Sequence, residues 1–141
     1  MKISSYFSIV ITLAVIFLAS CNKSDYEEPE DIIGSWGRPA YTDNVEGKSM
    51  IVYERTETLS DDGIEFLKNG LLMERKNGGW CGTPPITYDN FSGNWHVKNE
   101  NIIINVAYWG GMEHRIWKIR KVSGTNLEIE VVLQEYNNKY E

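Results

Sequence analysis

From residue 32 onward the chain alternates apolar and polar residues in short runs, and Gly, Asn, Asp or Pro closes each run. Side chains of an extended backbone point to opposite faces in turn, so a period of two describes sheet with one dry face and one wet face. Helical spacing of apolar residues does not recur convincingly after residue 31. The clearest runs come late. Phe91-Ser92-Gly93-Asn94-Trp95-His96-Val97-Lys98 alternates without a miss, and Leu127, Ile129, Val131 and Leu133 alternate against Glu128, Glu130, Val132 and Gln134. Between them lie Asn101 to Trp109 and His114 to Val122, joined through Gly110-Gly111. Upstream, Gly63 to Lys68 and Leu71 to Lys76 flank Asn69-Gly70, where both residues accept positive φ and favour a type I′ hairpin. With Ile32 to Tyr41 and Ser49 to Leu59 this makes about eight strands, and links this short force antiparallel neighbours. The expected fold is all-β: an up-and-down meander that closes into a barrel, removes both sheet edges and leaves an interior just able to hold a small ligand. A two-sheet sandwich would use the same alternation; the barrel is favoured because no long Greek-key crossover is required.

The N-terminus has a different character. Met1-Lys2 supplies a positive start, and Tyr6 to Ala19 is a nearly unbroken apolar run. A permanent span needs about 20 apolar residues, so this run fits a signal-peptide core instead. Leu18-Ala19-Ser20-Cys21 resembles the lipobox of bacterial lipoproteins. That resemblance implies a signal peptide over residues 1–20, a diacylglycerol on Cys21 Sγ, and an acyl chain such as palmitate on the new amine. Residues 21–31 then form a lipidated tether, polar and acidic, with almost nothing apolar to bury. The stretch resembles the export tag of Bacteroidetes surface lipoproteins; a plain spacer repelled by anionic headgroups is the alternative. The expected location is the outer membrane, lipid-anchored, on a periplasmic or surface-exposed face.

Residues 32–141 are long enough for one domain with its own core. Beyond the signal peptide, 13 basic residues stand against 20 acidic ones, which disfavours nucleic acid as a partner because that affinity rests on phosphate neutralisation. Of two cysteines, Cys21 is consumed by lipid and Cys81 is left without an intramolecular partner.

Ile33-Gly34-Ser35-Trp36 looks like the Gly-x-Trp signature that opens lipocalins. Phe66-Leu67-Lys68-Asn69-Gly70 and Gly93-Asn94-Trp95 follow in the order and spacing of the small lipocalin-like domain of Bacteroidetes lipoproteins, which the stretch from about 31 to 134 resembles. The resemblance implies a barrel that binds something small and apolar. It also implies that Trp36 closes the floor beneath an arginine of the final strand. Asn126 to Gln134 holds no arginine, and the nearest are Arg115 and Arg120 on the strand before. Independently of the resemblance, Gly34 would let the backbone bend sharply and Trp36 is large enough to plug one end.

The segment Asn77 to Tyr88, with three glycines, two prolines and Trp80, reads as a loop with a fixed path at one end of the barrel, a lid or mouth lining. Cys81 within it has no basic neighbour to depress its pKa, so it reads as a small buried hydrophobe, with a reactive or dimer-forming thiol as the alternative. Trp80, Tyr88, Trp95, Tyr108 and Trp109 are the candidate ligand contacts. Trp95 and Tyr108 should point inward, and Trp109 outward or into the turn. Core packing explains such residues as well. Catalysis finds little footing: two histidines bracket no metal-ligand cluster, nucleophile motifs are missing, and Glu113 beside His114 reads as a solvated turn pair. No cofactor and no enzymatic activity are expected. Three functions remain: a carrier of a small apolar molecule, a module that contacts glycan or protein through aromatic loops, and a structural partner of an envelope complex.

Overall fold

The computed structural model describes residues 31–43, 46–79 and 85–138. The expected signal peptide, Cys21 and the tether up to residue 30 lie outside these, as do Trp80 and Cys81.

The alternation is realised as eight antiparallel strands closed into a barrel: β1 (Gly34–Asp43), β2 (Ser49–Thr56), β3 (Gly63–Phe66), β4 (Leu71–Asn77), β5 (Tyr88–Lys98), β6 (Asn101–Tyr108), β7 (Gly111–Val122) and β8 (Asn126–Asn138). From β3 to β8 each strand pairs with the next, as short turns require. At the start, β1 sits between β2 and β3, and β2 closes the ring against β8. The link from Glu57 to Asp62 therefore steps across β1, which six residues accomplish easily when strands are about 4.8 Å apart.

Local departures interrupt the simple alternation. In β1 the register slips between Gly37 and Ala40, where Pro39 has no N–H to give and Arg38 takes a φ of 51°. In β8, Ile116 pairs with Leu133 but Trp117 pairs with Val131, so Val132 is looped out. Leu127 and Ile129 are fully buried as expected, but beyond the bulge the inward side passes to Gln134 and Tyr136, and Leu133 does not continue the dry face. Glu130 was expected to be wet; Arg120 and Lys48 cover it, and it is buried.

At Asn69-Gly70 both residues have positive φ, 66° and 71°, as anticipated. The two-residue hairpin is nevertheless replaced by a wider turn, with a 3-10 turn at Lys68–Gly70 and the Leu67 amide donating to the Leu71 carbonyl at 2.9 Å. Pairing Phe66 with Leu72 puts both side chains into the core, and that burial outweighs the tighter turn.

One end of the barrel is packed solid by Trp36, Ile64, Phe66, Leu72, Trp95, Ile102, Ile104, Leu127 and Ile129. Phe66 and Trp95 meet edge to face at 5.0 Å, and the Trp95 indole donates to the Leu67 carbonyl at 3.0 Å. Trp36 is fully buried there, donating its indole N–H to the Ile32 carbonyl at 2.7 Å. An arginine does cover it, but from β2 rather than from the last strands: the Arg55 guanidinium lies 4.1 Å from the ring centroid. Arg55 also donates to the carbonyls of Ile33 and Asp31, at 3.0 and 2.7 Å, tying the incoming chain across the closed end. Gly34 makes this possible. Its φ is 124°, and a Cβ there would stand 2.7 Å from Arg55 Nη1.

Gly34→Ala should cost about 2 kcal/mol from backbone strain and the displaced guanidinium. Arg55→Ala should cost about 1–2 kcal/mol. The steric part vanishes once Arg55 is shortened, so a double-mutant cycle by chemical denaturation should give a loss smaller than the sum. Strict additivity would mean that glycine is needed there for its backbone alone.

Candidate functional site

The inward positions keep their period of two toward the other end of the barrel, but their chemistry changes. On β4 the buried Leu72 is followed inward by Glu74, and on β7 Trp117 is preceded by Arg115 and Glu113. Arg115 sits between the two carboxylates. Its Nη1 and Nη2 donate to Glu74 at 2.6 and 3.0 Å, and its Nε donates to Glu113 Oε1 at 2.7 Å. Lys76 Nζ reaches the same pair, 2.7 Å from Glu74 Oε2 and 3.2 Å from Glu113 Oε2. Gln134, brought inward by the β8 bulge, donates to Glu113 Oε1 at 2.7 Å and to the Tyr136 hydroxyl at 2.6 Å. Beneath this layer the Arg115 guanidinium rests 5.5 Å from the Trp117 ring, and Trp117 leans on Tyr53 at 5.9 Å.

Above the ionic layer is an open cavity of about 330 Å³. Its floor is Glu74, Lys76, Glu113 and Arg115, and its rim carries Tyr41, Tyr108, Trp109 and Tyr136. Tyr108 is largely buried, and Trp109 and Tyr136 meet it nearly perpendicularly at 5.6 and 5.4 Å. The Tyr108 hydroxyl donates to the Asn138 side chain, which fixes that ring at the mouth. The side wall is low because β3 is only four residues long: beyond Gly37 on β1 and Arg75 on β4, neither strand pairs with it. A second recess, of about 420 Å³, lies where the 57–62 link crosses β1, among surface side chains such as Arg38 and Glu54.

Burial alone would push the Glu113 carboxyl upward, but the hydrogen bond and charge of Arg115, with Lys76, bring it down to about 2. Burial also works against the charge on Arg115, and Glu113 and Glu74 overcome it, so its pKa is raised and the guanidinium stays charged. Tyr53 titrates well above the ordinary phenol value, chiefly through burial and then through Glu74. The floor is thus a standing set of two cations and two carboxylates, held by mutual hydrogen bonds.

Of the residues singled out from sequence, the structure brings Tyr108 and Trp109 to the cavity. Trp95 belongs to the packed end, and Tyr88 is a half-buried residue opposite Asn77 at the start of β5. Trp80 lies outside the described residues. The chemistry that sequence reasoning missed is the ionic floor itself. Glu113 is no solvated turn residue: β7 begins at Gly111, so Glu113 is inside a strand and only 2% exposed. His114 points the other way and pairs with Asn105 on the neighbouring strand at 2.8 Å. The signal was present, because Glu113 and Arg115 share the parity of Trp117, and Glu74 that of Leu72.

No protein-family model, curated protein or solved structure matches this chain.

The lowered pKa of Glu113 links stability to pH. A carboxyl held below its unfolded value stabilises the fold above that value, and the contribution disappears as pH falls through the folded one. The window runs from about 4.5 down to about 2. Allowing for water at the open mouth, about 2 kcal/mol should be lost across it. Urea unfolding of the wild type and of Glu113→Gln between these limits should show a shallower fall for the variant; parallel curves would contradict the assignment.

Proposed function

We propose that this protein is a lipid-anchored cell-envelope barrel that binds a small molecule in its open end. The observation that carries the reading is the cavity with a rigid ionic floor and an aromatic rim, opposite an end that Trp36 and Arg55 seal. Ligand sites are concave and bring a few convergent polar groups together with apolar or aromatic surface, and this mouth sets a polar floor beneath an aromatic rim. The packed half is filled by its own side chains, so the guest belongs above Arg115 and not deep in the apolar core. That shifts the expected guest away from a purely apolar molecule. Such a guest would strip water from Glu74, Lys76 and Arg115 without replacing its hydrogen bonds, which is costly. The lipocalin-like resemblance and the lipobox at Cys21 support the carrier role and the anchored location. Asp31 enters at the sealed end, where Arg55 holds it, so a tether from Cys21 would join the barrel at the end opposite the mouth.

The reading has two checks. Cells fed labelled palmitate should label the wild-type protein and not Cys21→Ala; label that persists in the variant would remove the anchor. Native mass spectrometry of protein from its own host should show a bound small molecule. That mass should vanish when Glu74, Lys76, Glu113 and Arg115 are replaced together by Leu, Met, Leu and Met. The same replacement should leave stability unchanged or raise it by about 1–4 kcal/mol, since apolar isosteres commonly outperform buried ion pairs. A variant that folds well and keeps the bound mass would place the site elsewhere.

A further inference from the structure

We infer that the open-end cavity takes a neutral saccharide ring, with its hydroxyls on the ionic floor and one face stacked on the rim aromatics; this rests on the small-molecule reading above. The floor argues first for a neutral guest. An anion would have to pull Arg115 from two carboxylates that already hold three of its nitrogens. A cation would have to displace Lys76, whose ammonium already bridges Glu74 and Glu113. The cavity also meets Asp62, which adds negative charge and makes an anion less welcome still.

What the floor does offer is unused hydrogen-bonding capacity of both signs. Glu113 is fully engaged, by Arg115 twice and by Lys76, Gln134 and the Tyr136 hydroxyl. Among the described residues Glu74 Oε1 accepts from Arg115 only, leaving it room for one more donor. Lys76 uses two of its three N–H donors on these carboxylates, and the Gln134 carbonyl oxygen is left over from an amide whose N–H groups are both engaged. Tyr53, 4% exposed, lines the same cavity. Mixed donors and acceptors suit hydroxyl groups, which donate and accept at once.

The rim supplies the other half. Trp109, Tyr136 and Tyr41 are 53%, 56% and 68% exposed, a large apolar area to leave in water around one opening. Tyr108 meets both Trp109 and Tyr136 nearly perpendicularly, so the two rings are oriented before a guest arrives. A sugar ring has an apolar C–H face for such a platform and a polar edge for the floor. The volume, about 330 Å³, lies at the small end of ligand sites and fits one or two rings, not a buried polymer.

The test titrates the full mature chain with glucose, galactose, N-acetylglucosamine and maltose. Choline, inorganic phosphate and an anilinonaphthalene dye serve as comparators. Saturation-transfer NMR and indole fluorescence report binding. At least one neutral sugar should bind with a Kd of about 1 mM, and Trp109→Ala and Gln134→Leu should each weaken it about tenfold. Circular dichroism melting should show both variants folded. Absence of sugar binding up to about 50 mM overturns the saccharide assignment. If the dye, choline or phosphate binds in its place, and Trp109→Ala or Gln134→Leu weakens that binding, the small-molecule reading survives with another ligand class. If no probe binds, both fall. Sugar binding that ignores both substitutions also overturns the assignment.

Discussion

β2 must find β8, the last of the eight described strands, before the barrel has an inside. The register that joins them runs from Met50 opposite Glu130 to Glu54 opposite Asn126. It sets Ile51 against Ile129 and Tyr53 against Leu127, all four of them buried. A slip of one residue would turn that apolar set outward and the charges inward. The pairing spans most of the domain in sequence, so its closure entropy is met only when the inward side chains pack together. On the outer side the same seam is fastened by Glu130, which Arg120 and Lys48 hold from β7 and from the loop before β2. Those partners draw the Glu130 carboxyl below the usual carboxylate range, the Arg120 hydrogen bond most of all.

Two arginines near two tryptophans distinguish the ends of the barrel. Arg55 lies over Trp36 and spends its donors on main-chain carbonyls, so it works as a strap for the entering chain. Arg115 lies farther from Trp117 and spends its donors on carboxylates, so it keeps two like charges together in a space that opens to water. Removing charged groups from water costs several kcal/mol per ion, and a well-packed apolar layer would close this end at least as stably.

Much of the architecture was legible in residue order. Period-two runs separated by turn residues are a direct imprint of antiparallel sheet, and Trp95 and Tyr108 point inward where parity places them. Four things were not legible, each for a physical reason. The place of β1 between β2 and β3 depends on partners far apart in sequence, which alternation does not encode. The β8 bulge at Val132 reverses parity without a glycine or proline to mark it, and so hides the inward role of Gln134 and Tyr136. The ionic floor was hidden because charge normally signals solvent, whereas here Glu74, Glu113 and Arg115 satisfy one another across strands that only the closed ring brings face to face. Arg55 escaped notice for a related reason: it reaches Trp36 from the strand beside it, where no motif pointed.

The brevity of β3 has a mechanical consequence. Thirteen residues of β8 and twelve of β7 form a stiff wall, while the opposite side of the ring is stitched by a strand of four. Backbone bonds are fewest along the upper flank between β1 and β4, so that flank resists deformation least. Lys76 on the β4 side of that flank is braced to β7 through Glu113, so the give falls to the β1 side that carries Tyr41.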